Sequence, residues 1–308
     1  MPGITLIVGT RGSRLAREQA RRVIERLPGA AEVLVVTTSG DRFKEQKLGE
    51  QSSVGFFTKE IEAELLSKKI DLAVHSLKDL PTVIPPGLVL AAVLERDEAG
   101  DVLLVRPGAL EHKRDLPVRA DATVGASSMR RQALLGAFAG DLTPVPIRGN
   151  VPTRVEKCIR GDCDAVILAR AGLARLSLEV DPLLAFDLNP RLWICAPGQG
   201  VIAVEAREDD REVQARLSGL EHASTRAIIT AERRLHVVFG GGCHAPFGAY
   251  MEREDSKIYV AAPSNAGHMG VKEFSKLDAA EEWIRSGCPS EPSRGREEWI
   301  CRPARSWC

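Results

Sequence analysis

The sequence lacks several features that would place a protein in a class at once. Its 308 residues carry no formal net charge, since 42 Lys and Arg balance 42 Asp and Glu, so charge does not favour nucleic acid or an anionic membrane. No apolar run reaches the roughly 20 residues of a membrane span, and no basic leader precedes a long apolar region. With 5% aromatic residues, there is no series of side chains to stack on bases. We expect a soluble, cytoplasmic protein that binds neither nucleic acid nor membrane.

Cysteine is present, but not in a metal-binding or disulfide pattern. The seven cysteines are an odd number and show no paired CxxC spacing. We therefore expect mostly reduced thiols and no metal site.

The hydrophobic pattern predicts an α/β fold. Short β-branched runs at 4–8, 33–37, 71–75 and 89–94 alternate with amphipathic stretches at 13–27 and 56–69, which is the rhythm of a layered α/β protein. The charged segment 95–101 indicates a crossing into a second α/β unit, and 187–190 is a candidate return crossing before a strand at 201–205. We expect domain 1 at 1–96 plus 195–217, domain 2 at 97–194 and a small domain 3 at 218–308, with a hinge between the first two.

The segment GTRGS, which covers Gly9 to Ser13, follows a predicted strand and opens a helix. Backbone amides and the positive end of a helix dipole hold anions at such a place, and Arg11 would add a guanidinium. An ordinary glycine turn with Ser13 as N-cap explains the segment equally well.

Arginines and hydroxyls concentrate at two later strand-to-helix transitions, GASSMRRQ at 125–132 and IRGNVPTR at 147–154. A planar guanidinium matches a carboxylate in two-point contact, so this concentration suits a substrate with several anionic groups. Surface arginines paired with nearby acids are the alternative. The residues concerned are Ser127, Ser128, Arg130, Arg131, Arg148 and Arg154.

The segment AVHSLKDLP brings polar residues to the end of a buried strand, just before Pro81. Asp79 beside Lys78 could stabilise positive charge on a substrate nitrogen or exchange protons with it. A simple Lys78 and Asp79 pair in a tight turn is the alternative, and His75 is interpreted as a satisfied buried imidazole.

Cys243 lies in FGGGCHAPFG, where three glycines allow close approach of the backbone around one thiol. Because His244 is adjacent and would point elsewhere in an extended loop, protease-like chemistry is disfavoured. An ordinary loop cysteine remains an alternative.

Taken in order, the segments GTRGSRLA, VHSLKDLP, GASSMRRQ, IRGNVPTR, ILARAGLARL, APGQG and GGCHAPFG resemble the motif series of the porphobilinogen deaminases, also called hydroxymethylbilane synthases. The resemblance runs from about Leu6 to Tyr250. It implies an α/β enzyme of three domains, of which the first two resemble type II periplasmic binding proteins and the third is a small α+β domain.

The resemblance also implies an activity and a cofactor. Members of this family condense four porphobilinogen units into hydroxymethylbilane, release ammonia, and act in tetrapyrrole and haem biosynthesis as monomers. They build a dipyrromethane cofactor and attach it by a thioether, and Cys243 matches the attachment point. Asp79 matches the catalytic aspartate, which contacts pyrrole nitrogens.

Further positions match the residues that bind cofactor and substrate. The arginines would bind acetate and propionate groups, and the polar residues would add hydrogen bonds. The matching positions are Arg11, Ser13, Ser76, Lys78, Ser127, Ser128, Arg130, Arg131, Arg148, Arg154, Arg175, Gln199 and Gly200.

The sequence departs from the family pattern at three positions. Val54 replaces a lysine that some members carry, Ala126 stands where threonine is frequent, and Arg14 stands where proline is common. The tail after Tyr250 shows no recognisable motif.

Two other functions compete with this interpretation. A non-catalytic anion-binding module would use the arginines but not Asp79 and Cys243 together. A phosphate or nucleic-acid binder would need a Walker motif, net basic charge or aromatic stacking residues, none of which the sequence has.

Overall fold

The computed structural model describes residues 5–38, 58–240, 245–265, 267–289 and 301–304. The chain divides into two compact units, one made of 1–97 with 200–227 and the other of 98–199 with 228–308. Each unit contains a mixed β-sheet with helices packed against it, so the α/β class predicted from the sequence is confirmed. The predicted three-domain boundaries stay a prediction.

The first unit is built on a five-stranded sheet whose order is β2-β1-β3-β10-β4. Strands β1 and β2 are parallel, as are β1 and β3, whereas β10 runs antiparallel to both of its neighbours. The predicted recruitment of a returning strand is thus confirmed. The strands are β1 Leu6–Arg11, β2 Ala31–Val36, β3 Leu72–Ser76, β4 Leu88–Val93 and β10 Ile202–Arg207.

The second unit repeats this arrangement in a sheet of order β14-β9-β5-β8-β6-β7. Here β6 is parallel to β7 and β8, and β5 runs antiparallel to β8 and β9. In each unit the antiparallel strand follows directly on a passage of the chain from the other unit. The strands are β5 Asp101–Val105, β6 Thr123–Gly125, β7 Thr143–Val145, β8 Ala165–Ala169, β9 Leu184–Leu188 and β14 Cys301–Pro303.

One part of the sequence interpretation is wrong. The segment 187–190 is a candidate return crossing in the sequence, but Asp187 lies inside β9 and pairs with Val102. The passage between the units falls at residues 199–200 instead. The short apolar run of β9 is broken by Asp187, which pairs with Arg170, and this charge hides the strand in the sequence pattern.

Helices cover both faces of the two larger sheets. In the first unit Leu72 and Val74 of β3 face one hydrophobic cluster, and Ala73 faces another. This period of two is what a strand buried on both faces requires. The helices are α1 Arg14–Ile24, α2 Lys59–Leu66, α3 Met129–Phe138, α4 Val151–Arg160, α5 Arg170–Leu176, α6 Arg211–Leu217, α7 Ala223–Phe239 and α8 Leu277–Arg285.

A small antiparallel sheet completes the second unit. Its strands are β11 Gly248–Met251, β12 Ile258–Pro263 and β13 Met269–Phe274, with β12 in the centre. Val260 belongs to a cluster with Trp283 of α8, whereas Tyr259 and Ala261 join the cluster that also contains Leu134 of α3. This sheet therefore shares a core with the second unit.

Within the described part of the chain, no helix is both long enough and apolar enough to cross a membrane.

Gly248 is a position where a side chain has no room. A Cβ there would lie 2.9 Å from the carbonyl oxygen of Ile194 and 3.0 Å from that of Cys195, and the Cys195 oxygen already accepts from the backbone N–H of Ala249. We expect Gly248→Ala to lower the free energy of unfolding by about 1–3 kcal/mol in urea denaturation. Gly136→Ala, in α3 with nothing within 4 Å, is the control and should raise it by about 1 kcal/mol. Unchanged stability of Gly248→Ala would contradict this close packing.

Candidate functional site

Several of the predicted site residues of the first unit line one cavity. Strands β1 and β3 are parallel, so their carboxyl ends lie at the same edge of the sheet, where α/β proteins bind ligands. The cavity is lined by Arg11, Ser13, Ser76 and Asp79, together with His75 and neighbouring residues. The structure therefore brings together two segments that are more than sixty residues apart in the sequence.

The local sequence holds these side chains in place. Ser13 is the N-cap of α1, and its hydroxyl accepts from the backbone N–H of Ala16 at 3.2 Å. Gln19, one and a half turns further on, is buried and donates to the Ser76 hydroxyl at 2.8 Å. The N-terminus of α1 and the end of β3 are thus tied to each other, and Ser13 has the capping role that the simpler interpretation gave it.

Asp79 is presented by a short 3-10 turn, Leu77–Asp79, that follows β3 directly. Leu77 and Leu80 are buried, and the N–H of Leu77 donates to the carbonyl of Val201 at 3.0 Å. Because these two leucines anchor the turn, Lys78 is left half-buried and Asp79 exposed. An exposed carboxylate on a fixed turn beside Arg11 is suited to contact a substrate that carries a positive charge.

In the second unit, two predicted loops meet at the ends of β6 and β7. The hydroxyl of Ser127 donates to the carbonyl of Ile147, so GASS contacts IRGN. Ser128 is the N-cap of α3 and accepts from the N–H of Arg131 at 3.2 Å. Both hydroxyls are thus engaged in local structure at the start of a helix.

Arg148 and Arg154 are half-buried on either side of a tight turn. Asn150 caps α4, and the Nε of Arg154 donates to the carbonyl of Gly149 at 2.8 Å. Gly149 has a φ of 113°, and a Cβ there would lie 2.7 Å from Cγ2 of Thr153, so this turn requires glycine. The turn places one guanidinium before the helix and one in its first turn.

Arg130 and Arg131 are buried and share one carboxylate, that of Asp101. Arg130 lies 2.8 Å and Arg131 lies 2.7 Å from Asp101, whose side chain is fully buried. Trp193 Nε1 and Gln199 Nε2 donate to the same carboxylate at 3.1 Å and 2.8 Å. Although burial opposes its charge, the two guanidinium groups hold the pKa of Asp101 well below its usual range.

This cluster was not foreseen from the sequence, which attributed Asp101 to a domain crossing. The signal available was one acid at the start of a strand, DVLLV, whose five residues are all buried. Such an acid needs a cationic partner. The pairing of Arg130 and Arg131 with an acid was the alternative to substrate binding, and it occurs in the interior rather than on the surface.

The remaining predicted residues occupy distinct places. Arg175 is buried in α5, and Gln199 also donates to the carbonyl of Ala99 at 2.7 Å. Gly200 has a φ of 86°, which favours glycine. Of the departures from the family pattern, Arg14 is the exposed first residue of α1 and Ala126 is fully buried. Cys243 and Val54 lie outside the described residues.

No group of three or more His, Cys, Asp or Glu side chains that could hold a metal ion occurs in the described ranges. The two units instead offer a carboxylate in a cavity and, separately, guanidinium and hydroxyl groups at helix N-termini. Fold and site together define an α/β protein of two units whose guanidinium, hydroxyl and backbone N–H groups suit an anionic ligand.

Comparison with known proteins gives the family. Residues 6–215 match the family model "Porphobilinogen deaminase, dipyromethane cofactor binding domain". The chain is 44% identical over 262 residues to porphobilinogen deaminase of Desulforudis audaxviator, covering 83% of each chain. It is 43% identical over 304 residues to that of Syntrophomonas wolfei, covering 95% of this chain and 93% of the relative. The chain belongs to the porphobilinogen deaminase family.

The activity of this family is that of a hydroxymethylbilane synthase, which acts in tetrapyrrole biosynthesis and uses a dipyrromethane cofactor. Among solved structures, the periplasmic VFT2 domain of BvgS from Bordetella pertussis is similar with a TM-score of 0.42 and 14% identity, covering 74% of this chain and 93% of that one.

Asp101→Asn should destabilise the protein strongly, because it leaves two buried guanidinium groups without a balancing charge. We expect a loss of about 3–5 kcal/mol in the free energy of unfolding at pH 7, measured by urea denaturation. A carboxyl whose pKa is lowered by folding contributes stability above its unfolded value, and this contribution is lost as the pH falls. The difference between Asp101→Asn and the unsubstituted protein should therefore narrow below about pH 4.

The matched control for this substitution is Asp162→Asn, since Asp162 pairs with Arg160 and both side chains are about half exposed or more. It should leave the unfolding curve unchanged within error. If Asp101→Asn and Asp162→Asn changed the free energy of unfolding equally, the Asp101 cluster would not contribute the stability that we assign to it.

Proposed function

We propose that Asp79 is the acid–base group of the condensation and that Cys243 carries the dipyrromethane. The observation behind the first part is the cavity in the first unit that joins Asp79 to Arg11, Ser13 and Ser76. A carboxylate beside a guanidinium and a helix N-terminus can accept the pyrrole N–H of a substrate, while the cationic groups bind its acidic side chains.

Asp79 has two tasks in this proposal. Its negative charge stabilises the positive charge that develops on the substrate as ammonia leaves. Its carboxylate then accepts the proton that is displaced when two pyrrole units are joined. Because the buried side chains of Leu77 and Leu80 anchor the turn, the Asp79 carboxylate keeps its position through repeated condensations.

The arginines of the second unit suit the cofactor and the growing product. Arg148 and Arg154 flank the N-terminus of α4, and Ser127 and Ser128 precede that of α3, so guanidinium groups, the O–H of Ser128 and backbone N–H groups at helix N-termini suit acetate and propionate groups. This donor chemistry fits a dipyrromethane. When bound, that group supplies the pyrrole to which the first substrate is joined.

Arg130, Arg131, Arg175 and Gln199 are proposed to act differently. All four are buried, and three of them bond to Asp101. We infer that they contribute chiefly by holding the binding loops, and that Lys78 and Gly200 shape the approaches to the cavity. The cytoplasmic location and monomeric state expected from the sequence also belong to this proposal, and light scattering in solution measures the latter.

The cofactor assignment is tested by intact mass spectrometry under denaturing conditions, with peptide mapping around Cys243. We expect an added mass matching a dipyrromethane on that peptide, and its loss together with activity in Cys243→Ser. Buried Cys195, which lies within the second unit, provides the control Cys195→Ser, which should keep the adduct. If Cys243 stays unmodified even after incubation with porphobilinogen, the assignment is wrong.

The role of Asp79 is tested with Asp79→Asn, which keeps the shape but removes the charge and the base. We expect kcat to fall by about 10²–10⁴-fold, with the adduct mass retained, in an assay of porphobilinogen consumption. Asp209→Asn, at an exposed turn of the same unit, should leave kcat unchanged. Near-normal kcat in Asp79→Asn would rule out this acid–base role.

A further inference from the structure

A buried imidazole and a buried carboxylate lie behind the Asp79 cavity. His75 is on β3 and Glu205 is on the antiparallel strand β10, where His75 is paired with Ala203 and Glu205 with Ala73. Both side chains therefore project from the same face of the sheet. Nε2 of His75 lies 3.0 Å from an Oε of Glu205, and the side chains are 3% and 0% exposed.

The polar atoms of this pair are poorly satisfied. The 3.0 Å separation is a contact distance, but within the described residues neither Nε2 of His75 nor either carboxylate oxygen of Glu205 has a hydrogen bond of acceptable angle. Buried polar atoms are nearly always hydrogen-bonded, so a group of exceptions indicates a functional role more than a structural one.

The cavity connects the pair of His75 and Glu205 to Asp79, the proposed acid–base group, because His75 and Asp79 both line it. His75 and Thr58 line the same cavity as Asp79, Ser76 and Arg11. Its volume of about 60 Å³ exceeds the roughly 10–15 Å³ that one water molecule needs. A proton can therefore pass between Asp79 and His75 through water, without movement of the backbone.

Charged groups from several elements lie around this pair. Glu62 and Lys59 belong to α2, Glu205 belongs to β10, and Asp79 and Arg11 line the cavity. Burial raises the pKa of Glu62, whereas a hydrogen bond with Thr58 acts in the opposite direction. An imidazolium at His75 lies 3.0 Å from the Glu205 carboxylate, and a buried pair of opposite charges costs less than a buried charge without a partner.

We propose that the buried His75 and Glu205 pair is a proton store for the reaction, which takes from Asp79 the proton released in each condensation. The inference rests on the proposed role of Asp79. It explains how one carboxylate returns to its charged form before each new unit arrives.

The proton balance of the step is complete without an added reactant. When a new carbon–carbon bond forms between two pyrrole units, the carbon–hydrogen bond at the attacking ring carbon breaks and its proton goes to the Asp79 carboxylate. That proton passes through cavity water to the imidazole of His75 and gives an imidazolium whose Nε2 lies beside the Glu205 carboxylate. It later returns to the solvent, where the released ammonia is its acceptor.

The test uses His75→Gln in the full-length protein loaded with its cofactor. Gln fills much of the same space but does not take up a proton. We expect kcat to fall about tenfold or more, with KM within about twofold and the adduct mass intact. Added imidazole buffer should partly restore kcat, because a soluble base replaces the missing acceptor. Glu205→Gln should lower kcat in the same direction.

A second measurement does not depend on turnover. The ring signals of the histidines are followed by NMR as a function of pH, and the His75 signal is identified by its loss in His75→Gln. If Asp79 and His75 share a proton path in one cavity, Asp79→Asn should change the pH response of the His75 signal. His222→Gln, which alters a more exposed histidine 3.9 Å from Glu95, is the control and should leave kcat and the His75 signal unchanged.

The outcomes distinguish the proposed proton store of His75 and Glu205 from the proposed acid–base role of Asp79. Low kcat in Asp79→Asn with unchanged kcat in His75→Gln would overturn the store and leave the role of Asp79 intact. A fall in kcat of His75→Gln that imidazole does not relieve, with a His75 signal indifferent to Asp79→Asn, would show a structural role only. Near-normal kcat in Asp79→Asn would instead remove the proposed function on which the store rests.

Discussion

The second unit depends on one buried carboxylate. Asp101 opens β5, and its two oxygens hold the guanidinium groups of Arg130 and Arg131, the indole N–H of Trp193 and the amide of Gln199. These partners come from α3 and from the chain that follows β9. Because a charge without partners is costly in the interior, this arrangement leaves the chain little freedom in how those segments meet. Ser127 and Ser128 stand at the start of the same helix, so the geometry of this loop is tied to the charge of Asp101.

Strands β5 and β10, which each follow a passage of the chain between the units, have a comparable place in their two sheets. Each is antiparallel to its two neighbours and joins strands that would otherwise have no common partner. In the first unit the crossing strand β10 supplies Glu205 to His75, directly behind the cavity that contains Asp79. The strand that completes the sheet therefore also brings an acid to the back of the cavity, and sheet order and site chemistry are consequences of the same chain path.

The motif arginines differ in what surrounds them. Arg148 and Arg154 are half-buried at the N-terminus of α4, while Arg130 and Arg131 are almost fully buried on a shared acid. In sequence all four stand at strand-to-helix transitions and look alike. Burial separates them, because the guanidinium groups of Arg130 and Arg131 share a buried carboxylate at 2.7–2.8 Å, whereas Arg148 and Arg154 keep part of their surface exposed to solvent.

Local sequence by itself determined several of the elements and their caps. Ser13, Ser128 and Asn150 stand one residue before their helices and accept the orphan N–H groups there, which follows from short-range chemistry. Short β-branched runs were enough to predict β3 and the strand at 201–205, and ordered motifs were enough for the family. The partners of Asp101 and His75 were beyond such reasoning, since Trp193 and Glu205 lie 92 and 130 residues away along the chain. Only the tertiary structure decides which distant charges share an interior, because the energy of a buried charge depends on the neighbours that folding brings to it.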